Sequence, residues 1–345
     1  MKQKHKKRTS FRYKLLKTVN CFLALILAVM VAATVFAHAL MNRMNRTDGS
    51  METMSAEQMQ EFLSDQLAEG GGSGPSINAG DVDWGEMVGA MLGDSDHIVN
   101  ILLIGQDRRP GESRARSDSM ILATINKSTK KIVLTSFLRD MYVQIPGYQS
   151  NRLNASYAWG GMDLLNATLE QNFGIHVDGN VEVDFNQFSQ IVDMLDGVEI
   201  ELRSDEAAMI NGEVGGKLTA GLQVLCGDEA LSYARIRKLD ANGDFSRTER
   251  QRKVIQALLT KVRGSNLLTL LGVVNDVLPM VTTDMTNSEI LGYATSVFPL
   301  LSGAEITSQR IPADGTYSYA TVSGMSVLVA DMNANRKLLQ DTLGG

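Results

Sequence analysis

Acidic and guanidinium side chains gather at the ends of short apolar runs, and chemistry is legible there first. Residues 100–106 lead into Asp107-Arg108-Arg109, a second apolar run opens with Arg116-Ser117-Asp118, and a third closes on Arg139-Asp140. A loop of ten residues between Asp107 and Asp118 can return both carboxylates to one sheet edge. Two hard oxygen donors with nothing softer nearby suit magnesium, which takes one or two protein carboxylates and completes its octahedron with water and substrate phosphates. Further along, Arg235, Arg237, Asp244, Arg247, Arg250 and Gln251 form a second group. Guanidiniums bind phosphate oxygens through paired hydrogen bonds and stay protonated at any relevant pH. A metal beside several arginines points to pyrophosphate; the competing reading is solvated loops with surface ion pairs, each worth about 0–1 kcal/mol.

Spacing constrains these roles. Arg235 and Arg237 diverge on a regular helix, so both reach one ligand only if the helix ends or unwinds there. Arg247, Arg250 and Gln251 share a helical face near an N-terminus, where the partial positive charge favours an anion. Arg250 and Arg252 fit ordinary exposed positions equally well.

The elements that must position these groups follow from periodicity. Strands are expected over residues 98–105, 120–125, 132–137, 181–185, 198–202 and 305–311, and helices over 161–173, 185–195, 228–237, 246–263 and 288–301. Such mixing indicates a layered α/β domain, taken as residues 98–345. The polar, acidic stretch 42–97 reads as a stalk. Within it Ser55-Ala-Glu-Gln58 has the capping-box pattern of a short helix ending near Glu69, and a Gly-rich segment follows.

The 345 residues carry 33 Lys+Arg against 39 Asp+Glu, with 44% hydrophobic and 6% aromatic side chains. A net charge of −6 argues against a dedicated nucleic-acid binder. Eight cations and no acid occupy residues 1–18, leaving 25 basic against 39 acidic residues beyond. Residues 19–41 contain no charged side chain, enough for a helix across a bilayer, and the cationic flank places the N-terminus in the cytoplasm. A cleaved signal peptide is the rival, with Ala37-His38-Ala39 as a cleavage-like site, but the apolar run exceeds a signal core. Retention makes a single-pass protein of the cell membrane with its main domain outside. Cys21 then lies in the anchor, and Cys226, expected as a small buried hydrophobe, has no partner.

Several chemistries are excluded. Four scattered histidines do not make a zinc site, and no G-x-S-x-G elbow or G-x-G-x-x-G turn occurs. Residues 212–217 resemble a phosphate loop but have the wrong spacing and Leu218 where Ser or Thr is needed.

Taken together, the segments around Asn100–Arg108, Arg116–Met120, Ser136–Asp140, Asn151–Gly161, Tyr233–Arg237 and Gly243–Arg247 resemble the LytR-CpsA-Psr family of cell-wall glycopolymer transferases. The resemblance implies an α/β/α sandwich with a central mixed sheet, holding a polyprenyl-pyrophosphate-linked glycan with its lipid in an apolar tunnel. It implies transfer of the phospho-glycan, teichoic acid or capsule, to a peptidoglycan sugar hydroxyl. The family's magnesium aspartates fall on Asp107 and Asp118, which with Arg139 and Arg237 make the expected catalytic set. Its pyrophosphate contacts fall on Arg108, Arg116, Arg139, Arg235, Arg237 and Arg247, with Arg152, Asp244 and Gln251 completing the substrate-binding set. Asp140 is expected to orient neighbours; Asp244 is either a general base or a tie to Arg235 or Arg237. The chain departs from the family at residues 151–155, where an acid and a histidine are lost while Arg152 keeps its charge. Ser246 replaces a common glycine. A pyrophosphate hydrolase and a non-catalytic lipid-glycan binder or envelope regulator remain as alternatives.

Overall fold

Alternation along three adjacent strands decides the layering. In β3 (Ile98–Gln106), β4 (Ser117–Asn126) and β5 (Lys131–Phe137), successive side chains point to opposite faces. Leu102, Ile104, Met120, Leu122, Val133 and Phe137 enter one core, whereas Ile121, Ile132 and Leu134 enter another with Leu103, Ala123 and Ile125. Both faces are apolar, so both must be covered. The coordinates are a computed structural model, which describes residues 37–39, 41–50, 54–68, 74–86, 92, 95–106, 117–240, 243–264, 276–301 and 303–343.

These strands sit in a seven-stranded sheet of order β1 (Asn45–Arg46), β11 (Thr282–Thr283), β8 (Gly179–Asp184), β3, β4, β5, β12 (Glu305–Ile311). The pairs β1/β11, β3/β8 and β5/β12 are parallel and the rest antiparallel, so the sheet is mixed, as expected. One face is covered by α1 (Ala56–Ala68), α2 (Leu153–Phe173) and α8 (Met332–Leu343), through Phe62, Trp159, Leu165, Leu169 and Leu339. Over the other face, α6 (Asp244–Gly264) places Ile255 and Leu259 on the strands, flanked by α3 (Phe185–Met194) and α5 (Gly227–Arg235). A smaller core joins these helices to α4 (Ser204–Val214) and the antiparallel pair β9 (Val198–Leu202) and β10 (Gly221–Leu225). The remaining elements are α7 (Asn287–Leu301), the pair β6 (Tyr142–Val143) and β7 (Asn151–Arg152), and a three-stranded sheet. That sheet comprises β2 (Ser76–Ile77), β13 (Tyr317–Val322) and β14 (Met325–Ala330).

The stalk expected over residues 42–97 is corrected. The chain divides at Asn45, and described residues from there onward belong to the main unit. Asn45–Arg46 are a strand of the central sheet, and Ser76–Ile77 extend the three-stranded one. Met59, Phe62 and Leu63 line one face of α1 at i, i+3, i+4 spacing, and Phe62 meets Trp159 with ring centroids 6.0 Å apart. The capping box forms: Gln58 N–H donates to Ser55 Oγ at 3.2 Å, and Ser55 N–H to Gln58 Oε1 at 2.9 Å. Polar composition hid this apolar stripe.

Three further positions differ from the sequence reading. Helix α2 begins at Leu153, eight residues before the expected start, because it is broken at Gly160 and Gly161. Gly161 has φ 68° and ψ −152°, a conformation essentially reserved for glycine. Cys226 is exposed rather than buried. Arg250 and Arg252 are buried, not surface residues. Most of the expected 19–41 span lies outside the described residues, among which no helix is long and apolar enough to cross a membrane.

Two substitutions test this packing by chemical denaturation. Phe62→Ala is expected to cost on the order of 3 kcal/mol, as for a core aromatic; a loss near zero means α1 is an undocked stalk after all. Gly161→Ala is expected to cost about 1–3 kcal/mol through backbone strain, with no contact removed.

Candidate functional site

Four chain segments deliver charge to one end of the central sheet. The antiparallel pairing of β4 with β5 returns the start of β4, carrying Asp118, beside the residues that follow β5, Arg139 and Asp140. Helix α5 ends at Arg235, and Ile236 leaves the helical region at ψ 123°. Helix α6 then starts at Asp244 and presents Arg247 one turn later.

Arg139 is the hub. Its Nη1 donates to Asp118 Oδ1 at 2.6 Å, and its Nε lies 3.7 Å from Asp140 Oδ2 and 3.9 Å from Asp244 Oδ2. Burial works against its charge, but Asp140, Asp118 and Asp244 more than offset this and raise its pKa above the ordinary arginine value. Asp244 is the second hub, with Oδ2 2.9 Å from Arg247 Nη2 and Oδ1 3.7 Å from Arg237 Nε. Burial lifts its carboxyl to about 6, with Asp140 and Asp118 adding to the rise and Arg139 and Arg237 opposing it. Arg247 is almost fully buried and also donates to the Asp118 backbone carbonyl at 3.3 Å. Arg152 joins through Asp140, 3.8 Å away, and donates to the Ser326 carbonyl at 3.0 Å. Arg139, Asp140, Arg152, Arg237, Asp244, Tyr319 and Ser326 line a cleft of about 400 Å³.

A second cavity, of about 230 Å³, lies between the sheet and helices α3, α5 and α6. Its walls include Leu103, Ile121, Val181, Val183, Phe188, Ile191, Val254 and Leu258, and its polar lining includes Asp184, Arg235 and Gln251. A Cβ on Gly227 would stand 2.1 Å from the Ser189 carbonyl, so glycine lets α5 lie hard against α3. That contact helps seat Arg235 over the Phe185 ring, 4.8 Å from its centroid. Ser119 lines this cavity while its neighbour Asp118 serves the charged cluster.

Of the sequence candidates, the structure brings together Asp118, Arg139, Arg152, Arg237, Asp244 and Arg247, and it sets Arg235 and Gln251 on the apolar cavity. Arg235 and Arg237 therefore face different spaces, each available because α5 stops between them. Asp107, Arg108 and Arg116 lie outside the described residues. Sequence reasoning missed Tyr319 and Ser326, which reach the cleft only through the β13–β14 hairpin and carry no local motif. The buried nitrogens Arg139 Nε and Arg247 Nε have no hydrogen-bond partner, two free donors suited to a bound oxyanion.

Comparison with known proteins places the chain by sequence and fold. The family model described as the LytR_cpsA_psr family matches residues 53–342. "Regulatory protein MsrR" of Staphylococcus aureus (strain COL) is 32% identical over 253 residues, covering 72% of this chain and 75% of that protein. A "polyisoprenyl-teichoic acid--peptidoglycan teichoic acid transferase TagU" of Bacillus mycoides (strain KBAB4) is 35% identical over 219 residues, covering 63% and 69%. Among solved structures, the LytR-CPS2A-psr family protein YwtF (TagT) with bound octaprenyl pyrophosphate lipid superposes with a TM-score of 0.56 at 26% identity, covering 74% and 98%. With the family model matching most of its length and the fold shared with a solved member, the chain belongs to the LytR-CpsA-Psr family.

Proposed function

We propose that this protein is a phosphotransferase that moves a glycopolymer from a polyprenyl-pyrophosphate carrier onto a peptidoglycan sugar hydroxyl. The observation that carries the reading is the adjacency of an apolar cavity to a cluster of guanidiniums with unmatched donors. The prenyl chain lies in the cavity and the diphosphate in the cluster. Relatives with matching activity and a matching lipid support it. The polymer is a teichoic acid or capsule-type chain, and the anchor at residues 19–41 keeps the site outside the cell near its membrane-borne donor.

Residue roles follow from the contacts. Arg139, Arg237 and Arg247 hold the diphosphate oxygens and offset the charge that accumulates there, with Arg152 beside them and Arg235 on the wall of the apolar cavity; the family resemblance adds Arg108 and Arg116, which lie outside the described residues. The acceptor hydroxyl attacks the phosphorus on the sugar side, the bridging P–O bond breaks, and polyprenyl phosphate departs. Asp244 takes the hydroxyl proton, since a carboxyl with a pKa near 6 is ionised at neutral pH yet basic enough to accept it. Asp118 offers the hard-oxygen chemistry that suits magnesium beside the cluster, and by the family resemblance Asp107, outside the described residues, would be the partner ligand. When bound, the ion supplies positive charge against the diphosphate. The name of the staphylococcal relative favours a second reading, a lipid-glycan-binding regulator without turnover.

Arg139→Ala and Asp118→Asn are each expected to lower transfer from a defined lipid-linked donor by about 10²–10³-fold, with circular dichroism unchanged; wild-type turnover in either variant ends this mechanism. Glycan on peptidoglycan reports transfer, and free glycosyl phosphate reports hydrolysis. The pH dependence is a separate test. The folded Asp244 carboxyl sits above its ordinary 3.8, so its contribution to stability is full below that value and is lost as pH rises through about 6. Activity should follow the opposite course, rising through pH about 6 to a plateau, and Asp244→Asn should remove both limbs.

A further inference from the structure

One buried cation on α6 is not used by the transfer reading. Arg252 is 5% exposed, and its Nε and Nη1 have no hydrogen-bond partner. Burial lowers its pKa to about 10, Glu249 working against the shift and the nearby Arg310 guanidinium adding to it. A buried charge without a partner is costly, and proteins meet that cost with a counter-ion or an ordered water.

What surrounds it can be worked out from packing. Phe245 packs with Leu138, while Ile255 and Leu259 pack with Ile132 and Leu134, so α6 runs antiparallel to β5. Seven residues beyond Phe245 the helix has advanced roughly 10 Å, about three residues of strand back from Leu138, which sets Arg252 between the Leu134 and Ser136 levels. Ser136 shares the face of Ile132 and Leu134 by alternation, and its buried Oγ is unpartnered. Arg310 of β12 is the register partner of Ser136 and therefore points to the same face. Its guanidinium lies 4.6 Å from the Phe245 ring centroid, an independent check on that placement. Arg310 pairs with exposed Asp314 but leaves its buried Nε unmatched. The carboxylate closest in sequence to Arg252, Glu249, is engaged by Lys253 at 2.8 Å. Unmatched donors from three elements thus meet beneath α6 at the sheet's last strand, with positive charge in excess.

We propose that Arg252, Arg310 and Ser136 form a second oxyanion site, which takes a phosphodiester of the donated polymer while the pyrophosphate occupies the Arg139 cluster. Phe245 is the wall between them, lining the charged cleft on one side and lying under Arg310 on the other. The phosphate chemistry stands on the geometry; assigning it to the polymer rests on the transfer reading. Two guanidiniums grip a tetrahedral phosphate through several oxygens, and the serine hydroxyl donates to one more.

The test is equilibrium binding to the full chain in detergent, using inorganic phosphate in one arm and a glycerol-phosphate oligomer lacking lipid and pyrophosphate in the other. Wild type should bind the oligomer more tightly than inorganic phosphate. Arg252→Gln and Arg310→Gln should each weaken the oligomer roughly tenfold or more, whereas Lys337→Gln, an exposed cation on α8 over the opposite face of the sheet, should leave it unchanged. Arg252→Gln removes a charge that makes no ion pair and leaves Glu249 its pairing with Lys253, so folding should survive, and Arg310→Gln gives an independent second reading. Unchanged oligomer affinity in both variants overturns the site and leaves ordered water as the partner of Arg252. Equal affinity for inorganic phosphate and oligomer overturns the polymer assignment. Turnover is not read, so a failure of the transfer mechanism leaves this outcome intact.

Discussion

Arg139 held among three carboxylates is the interaction on which the site depends. With its guanidinium largely removed from water, the pairing with Asp118, Asp140 and Asp244 keeps it charged and fixed in direction. Each carboxylate reaches it from a different place: the start of β4, the turn after β5, and the first residue of α6. A shift in any of these three elements would leave a half-buried charge uncompensated, so electrostatics and backbone placement constrain each other. The strands are therefore in register at this end for a reason beyond their own ladder.

The charged cluster and the apolar cavity share their walls. Ser119 and Asp118 are consecutive on β4, Ala234 and Arg235 close α5 just before Arg237, and Gln251 sits one turn after Arg247 on α6. Along each element, a step of a few residues crosses from hydrocarbon to guanidinium. An amphiphile with a long apolar tail and a diphosphate head needs that boundary, and a soluble nucleotide does not.

The fold was legible where periodicity was strong. Strands β3, β4, β5 and β12 fall within a few residues of the sequence reading because alternating Val, Ile and Leu leave little ambiguity. The convergence of Asp118, Arg139, Arg237 and Arg247 was legible from residue type and the ends of apolar runs. Less visible was anything that depends on distant chain. Helix α1 looked like part of a stalk because its apolar stripe is short and diluted by Gln, Glu and Asp. The start of α2 was obscured by paired glycines that break the pattern inside one helix. Tyr319 and Ser326 enter the cleft through a hairpin far along the chain, and Arg252 is buried by a strand that follows it by more than fifty residues. Burial of that kind is a property of topology, and local sequence does not encode it.

The two margins of the central sheet also differ in a way that matters for crowding. One is closed by β1, two residues long, which offers little ladder to an incoming strand. The other, β12, is seven residues long and would be a template for edge-to-edge aggregation were it apolar. Instead it begins with Glu305, near Lys131 at 3.8 Å, and continues through Thr307, Ser308, Gln309 and Arg310. Many copies could stand side by side at high local density without their sheets fusing into fibres.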